Sequence, residues 1–562
     1  MTDREEAMFD IVIRNGRIAD GSGLPAFDGD LAISRGRLVR VGGKLAAQAR
    51  HQIDARGRVV APGFIDPHTH FDAQLLWDGQ ARPALEHGVT TVVHGNCSLS
   101  LAPLKVEHRP KLVRMFQQIE EMPDAAFDGA FEWSWESFAD YVAALRGRVA
   151  LNVAPLAGHS PLRMWVMGPD AQKRAAKPDE IRAMQDLLRA CLEAGAVGLS
   201  TSYVDMDENL APVPSRYAHG DELDALAAVL GEYGRMLQVV PEFYNTDLSV
   251  ARVDQLAELS LAHGIPTTFS PLFDSAAIPD NVPRVLERVA EQFARGARVW
   301  PQVQTRPIDI SFSLDVASLY FIGLPMWYLI LRLPREQKLA QLRHPGTRKA
   351  LIDAVAASPD PRRLDSLRVR DSADTSLIGR TLGELAEERG TTPADMLIDL
   401  SLAEDLGVHF LASNLGHEDP SRIGPILANE LVHVGASDGG AHIQSFATYG
   451  DTGYLFSEFV RQGHYLSLEH AVRKITGDTA QIWGMSERGL LREGMAADVV
   501  IFDPESIARG DELPARDMPE GGMRYVRSAT GVDCAIVNGE IAWTAEGGYT
   551  DARPGVVVNA RG

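Results

Sequence analysis

VVAPGFIDPHTHFD, residues 59–72, is the stretch from which the fold of this 562-residue chain can be read. A β-type apolar run (Val59, Val60, Ala61) passes through Pro62 and Gly63 into Phe64 and Ile65. It ends in four groups able to hold a cation: Asp66, His68, His70 and Asp72. Side chains alternate faces along a strand, so His68 and His70 point the same way. Two imidazoles on one side of a strand end form a bidentate seat for a divalent metal. A His-x-His pair alone is more often two ordinary surface or core side chains. Here a buried-type strand precedes it, and Pro, Gly and two carboxylates surround it, which favours the metal.

Upstream, residues 9–60 read as short strands with turn punctuation: DIVIRNGRI, DLAISRGRLVRVGG and RHQIDARGRVV. Asn-Gly and Arg-Gly turns between alternating runs mark an antiparallel sheet. The far end of the chain repeats the style in GMAADVVIFDP (494–504) and GVDCAIVNGEIAW (531–543). The two flanks suggest one small β-sandwich built from both termini, residues 1–62 and 483–562. Between them β-type runs alternate with helical patterns, which indicates parallel strands with helical crossovers, an α/β fold. Eight candidate strands end near His68, Cys97, His159, Ser202, Phe243, Pro271, Thr305 and Asp438. The gap before the eighth is long, and residues 308–392 are expected to form a mostly helical insertion within a central segment spanning 63–482. The most apolar stretch, VASLYFIGLPMWYLIL (316–331), is shorter than the roughly 20 residues of a membrane span, and Pro325 interrupts it. A buried helix pair and an apolar lid over a substrate pocket both remain open for it.

Composition removes several function classes. A formal charge of −21 argues against nucleic acid, whose binders concentrate Lys and Arg. Cys97, Cys191 and Cys534 are too few for a disulfide framework and suit a reducing compartment. The acidic start MTDREEAMFD lacks the basic and apolar regions of a signal peptide. The expectation is a cytoplasmic protein with a small-molecule substrate and no membrane partner; self-association is left open.

PGFIDPHTHFD resembles the first-strand motif of the amidohydrolase superfamily, metal-dependent hydrolases on a TIM (β/α)8 barrel. GVTTVVHGNCSLSLAP (88–103) and GASDGGAH (435–442) resemble the D-aminoacylase branch, the N-acyl-D-amino-acid deacylases. The likeness runs over nearly the whole chain and is weakest around 307–392. It implies that Asp438 is the catalytic aspartate and that Cys97 is a metal ligand at the second strand. A carboxylate in that place accepts a proton from the attacking water and returns one to the leaving amine. It also implies that the polar strand ends share one mouth, since active sites of such barrels lie at the C-terminal strand ends. The GHSPLR segment (158–163) resembles the branch's third-strand motif, which makes His159 a candidate substrate contact. STSY (200–203) matches the start of its GLSTG segment, with Ser202 where that segment has glycine, and adds Tyr203.

The departures carry as much information. The branch places metal-binding histidines at the ends of strands five and six, whereas LQVVPEFYN (237–245) and PTTFSPLFD (266–274) contain none. Glu242 is the nearest replacement ligand, with its register uncertain after Pro241. The lysine after strand six is absent, and Arg306 is the candidate anchor for an anionic substrate group. The expected ligand set is His68, His70, Cys97 and Asp438, with Glu242 as a fifth. These suit one Zn²⁺ rather than two. Three readings stand: a one-metal hydrolase of N-acyl amino acids, with cyclic amides or imides as alternative substrates; a two-metal variant using Glu242; and a binding protein on a decayed barrel. A serine hydrolase is excluded, because no GxSxG elbow surrounds Ser160.

Overall fold

Gly63 divides two sheets. On its N-terminal side Val59–Pro62 pairs antiparallel with Val499–Phe502, and on its other side Phe64–Thr69 pairs parallel with Val89–His94. The backbones approach so closely here that a Cβ on Gly63 would overlap the Thr90 side chain. The computed structural model describes residues 8–558 apart from Ala47, Arg362 and Ala436. Most of the acidic start of the chain, residues 1–7, therefore lies outside the described residues.

The two ends of the chain share one nine-stranded sheet. Phe9–Ile18, Phe27–Ser34, Arg37–Val41, Ala49–Asp54 and Val59–Pro62 come from one end, and Val499–Phe502, Val532–Val537, Glu540–Thr544 and Gly548–Tyr549 from the other. Hydrogen-bonded pairing links all nine strands of the sheet. Its edge strand Arg37–Val41 bonds back to the turn before Val499, with Leu38 N–H donating to the Met495 carbonyl at 2.9 Å. Ile13, Leu31, Ile33, Val60, Val499 and Ile536 fill the core so enclosed.

The central segment is α/β. Its parallel strands are Phe64–Thr69, Val89–His94, Asn152–Pro155 with Ala157–Gly158, Gly198–Ser202, Met236–Val240, Thr267–Phe269, Val299–Val303 and His433–Val434. Each pairs in parallel with the next wherever a ladder is formed. An isolated parallel bridge, Thr69 to Gly439, joins the last strand's extension to the first. VTTVVH (89–94) is buried throughout, the β-branched run expected of a strand covered on both faces. The intervening helices have one apolar stripe each. In Pro178–Ala194 a proline and two acids open the helix, and Ile181, Met184, Leu188, Cys191 and Leu192 face the core at helical spacing.

Residues 307–418 with 444–446 form a second compact unit. It combines short helices with a three-stranded antiparallel sheet, Ile310–Phe312, His409–Ala412 and Arg368–Asp371. Within the apolar stretch, Phe321, Trp327, Tyr328 and Leu331 are buried, whereas Val316, Ile322 and Leu329 are exposed. Its helix, Pro325–Leu331, has seven residues. No helix among the described residues is long and apolar enough to cross a membrane.

Candidate metal centre

His68 and His70 end the first parallel strand, and both are almost wholly buried. Their Nε2 atoms lie 3.5 and 3.6 Å from Cys97 Sγ, which follows the second strand. Asp438, beyond the eighth, places Oδ1 at 3.7 Å from His68 Nε2 and 3.2 Å from His70 Nε2. The backbone fixes this approach: Asp438 N–H donates to the His68 carbonyl at 3.1 Å and His70 N–H to Gly439 at 2.7 Å. Among the described residues, His68, His70 and Cys97 form one group with ligand atoms within 4.8 Å of one another. His70, Glu120 and Asp438 form a second. The Asp438 side chain is 29 % exposed while both rings are buried, so it is open to incoming water and substrate.

Cys97, Asp438 and His442 all have positive φ (55°, 64° and 53°), as does Glu121 (47°). Side-chain-bearing residues in that region store about 1–3 kcal/mol each and gather at functional sites.

The electrostatics call for a cation. Burial lowers the pKa of His68 to about 4, despite Asp438 beside it. Burial opposes charge on His70 as well, but Glu120, Asp438 and Asp72 outweigh it and raise that ring to about 9. Burial pushes Glu120 up to about 8 against the pull of His70. The Cys97 thiol is driven well above its ordinary range by burial and by Glu120, Asp205, Asp438 and Asp72. Asp438 stays below the usual carboxylate range, because contact with His70 and His442 overcomes its burial. Carboxylates in this pocket thus compete for protons that a divalent ion would replace, and thiolate formation at Cys97 needs that ion. Two imidazoles and a thiol in one group, with the Asp438 carboxylate against both rings, fit zinc.

Four side chains expected at the site are engaged elsewhere. Glu242 belongs to neither ligand group, because the Arg252 guanidinium takes both its oxygens, at 2.6 and 3.2 Å. His159 is fully buried and both ring nitrogens are used, on Thr201 Oγ1 at 3.0 Å and Glu222 Oε1 at 2.8 Å. Arg163 shares that Glu222 carboxylate, so the GHSPLR segment forms a core ion-pair network. Tyr203 donates to Gln255 at 3.3 Å, and Arg252 covers its ring, 3.2 Å from the centroid. Arg306 is buried, with Nε on Asp451 at 2.9 Å and Nη2 on the Ser437 carbonyl at 2.8 Å. It supports the loop that carries Asp438. Arg306→Ala should therefore cost about 3–5 kcal/mol of stability by leaving Asp451 buried and unpaired. Chemical unfolding checks this, and the Michaelis constant should not distinguish anionic from neutral substrates.

Of the acids in the opening motif, Asp66 accepts from the Ser437 hydroxyl and from His68 N–H, while Asp72 accepts from Gly95 N–H at 3.1 Å. They hold the loops instead of joining the ligand groups. Glu120, Glu121 and His442 also stand at the site, beyond the residues expected from the sequence. His442 stands inside GASDGGAH, and its spacing of four from Asp438 was the available signal. His442 Nε2 lies 3.5 Å from Asp438 Oδ2, the oxygen pointing away from His68 and His70. Glu120 and Glu121 follow a helix and offered no such signal.

The amidohydrolase family model matches residues 52–240 and 340–542, which include all four converging donors. This chain belongs to the amidohydrolase family. A D-aminoacylase of Alcaligenes xylosoxydans xylosoxydans is 30 % identical over 563 residues, covering 99 % of each chain. The N-acyl-D-glutamate deacylase of Bordetella bronchiseptica, solved with zinc and a phosphonate mimic of the tetrahedral intermediate, superposes with a TM-score of 0.70 at 26 % identity. It covers 98 % of this chain and all of its own. A D-aminoacylase structure described by one-metal activation and second-metal attenuation gives a TM-score of 0.67 at 27 % identity, with 98 % and 100 % coverage. This amidohydrolase stands with the D-aminoacylases and is a hydrolase of C–N bonds other than peptide bonds.

Proposed function

We propose that this amidohydrolase is a zinc-dependent deacylase of N-acyl-D-amino acids. The observation that carries the reading is the convergence of His68, His70, Cys97 and Asp438 beside the C-terminal ends of parallel strands. The ordered parallel pairings and the Thr69–Gly439 bridge support a (β/α)8 barrel over 63–482, with 308–392 inserted and residues 1–62 and 483–562 forming one terminal module. One ion is preferred, because both ligand groups depend on His70 and Glu242 is tied to Arg252. The D-aminoacylase structure is described by a binuclear metal centre with one-metal activation and second-metal attenuation, and only the single activating ion is carried over to this chain. Three unpaired cysteines and the acidic charge favour the cytoplasm and a small-molecule substrate.

A divalent ion in this group would supply Lewis acidity, bringing proton loss from water into the neutral range and polarising the acyl carbonyl. Asp438 turns one oxygen to the rings and the other to His442, and it stands open to the mouth. It takes the proton that the attacking water loses. As the C–N bond breaks, it returns that proton to the departing nitrogen, so water is divided between a carboxylic acid and an amine. His68, low in basicity, stays neutral and keeps its lone pair for the ion. The retention of His68, His70, Cys97 and Asp438 speaks against a binding protein on a decayed site.

Zinc content of the purified protein, measured with amine release from paired N-acetyl-D- and N-acetyl-L-amino acids, tests the reading. About one equivalent and release confined to the D series are expected. A zinc-loaded protein that releases amine from no member of the panel would reject it.

A further inference from the structure

Glu120 and Glu121 follow the helix Arg109–Ile119, outside every strand of the α/β segment. A helix C-terminus disfavours carboxylates through its dipole, so two adjacent acids there work against the local field. Glu120 is nevertheless buried to 1 % exposure, with Oε1 3.4 Å from His70 Nδ1. That nitrogen lies across the ring from Nε2, which faces Cys97 and Asp438. A histidine that ligates through Nε2 carries its proton on Nδ1, and an acceptor there sets both tautomer and ring angle. Among the described residues, His70 Nδ1 and Glu120 Oε1 are buried without a formed hydrogen bond, and they lie 3.4 Å apart.

The next residue grips the opposite flank. Glu121 Oε2 lies 2.9 Å from His442 Nδ1, and His442 Nε2 lies 3.5 Å from Asp438 Oδ2. His442 N–H also donates to the Glu120 carbonyl at 2.5 Å, which locks the two segments together. Glu121 and His442 both hold positive φ, strain that the surrounding structure must repay.

We infer that Glu120 and Glu121 are two positioning residues with separable tasks: Glu120 orients His70 toward the metal, and Glu121, through His442, orients the proton-carrying oxygen of Asp438. This rests on the reading of His70 and Asp438 as members of a metal centre.

Full-length Glu120→Ala, Glu120→Gln and Glu121→Gln proteins would be compared with wild type for zinc affinity by chelator competition, for kcat and KM, and for thermal unfolding. Glu120→Ala should weaken zinc binding about 10–100-fold, the range for loss of a carboxylate behind a ligating histidine. Glu120→Gln keeps an acceptor but no charge, so it should fall between Ala and wild type, and it guards against simple misfolding. Glu121→Gln should hold zinc within about threefold while lowering kcat about tenfold or more, with KM little changed. Wild-type zinc affinity in Glu120→Ala would overturn the inference. So would a Glu121→Gln protein that loses zinc as severely as Glu120→Ala. His70→Ala separates the two levels: if it keeps its zinc, the metal centre itself has been misread. If it loses zinc while Glu120→Ala does not, only the positioning role fails.

Discussion

His70→Ala is expected to lower kcat/KM by about a thousandfold or more, since several kcal/mol of charge stabilisation disappear at about 1.4 kcal/mol per tenfold. His70 is the residue common to both ligand groups, so no regrouping of the others replaces it. Zinc measured after dialysis should fall well below one equivalent. Its removal also leaves Glu120 facing a cavity and Asp438 without its closest ring. The strands themselves pair through backbone, and far-ultraviolet circular dichroism should be retained. His159→Ala provides the contrast. That ring is just as buried, but it is spent on Thr201 and Glu222, so the variant should lose stability and keep its zinc. Full zinc and full turnover in His70→Ala would sink the metal assignment.

The contrast between these two histidines shows what a sequence can disclose. The approach of His68 and His70 was legible because a strand's period of two fixes their common face, while Cys97 and Asp438 were singled out by the motifs that resemble the D-aminoacylase branch. The relation between the two histidines is local, and it survives folding unchanged. His159 also follows a strand, but its role depends on Glu222, a partner 63 residues away that no period announces. Glu242 and Arg306 likewise pair with partners that no local pattern announces, Arg252 and Asp451. Glu120 lies at the opposite extreme. It reaches the centre from a helix end, where acids usually mean solvent, and only the tertiary approach to His70 gives it a task. At the level of the fold, turn chemistry marked both terminal β segments. That their strands merge into a single nine-stranded sheet depends on long-range pairing between residues 59–62 and 499–502, to which local pattern is blind.

Asp438→Asn should lower kcat by about 10²–10⁴-fold, the span associated with losing a positioned proton acceptor. The substitution is chosen to leave other properties in place. Asparagine tolerates the left-handed backbone that Asp438 adopts at φ 64°, so the loop held by His68 and Ser437 need not move. Its amide oxygen can still face the two rings, which should preserve most of the bound zinc. What an amide cannot do is take a proton from water and return it to nitrogen. The loss should therefore appear in kcat, with KM and zinc content shifting far less, a split that separates proton transfer from ligation. Alanine at the same position would confound the two, because it removes the oxygen as well as the charge and gains no local hydrogen bond for its positive φ. A fall in kcat of less than tenfold in zinc-loaded Asp438→Asn would transfer the proton-carrying role to another group, and His442, 3.5 Å from Asp438 Oδ2, would be the first to test.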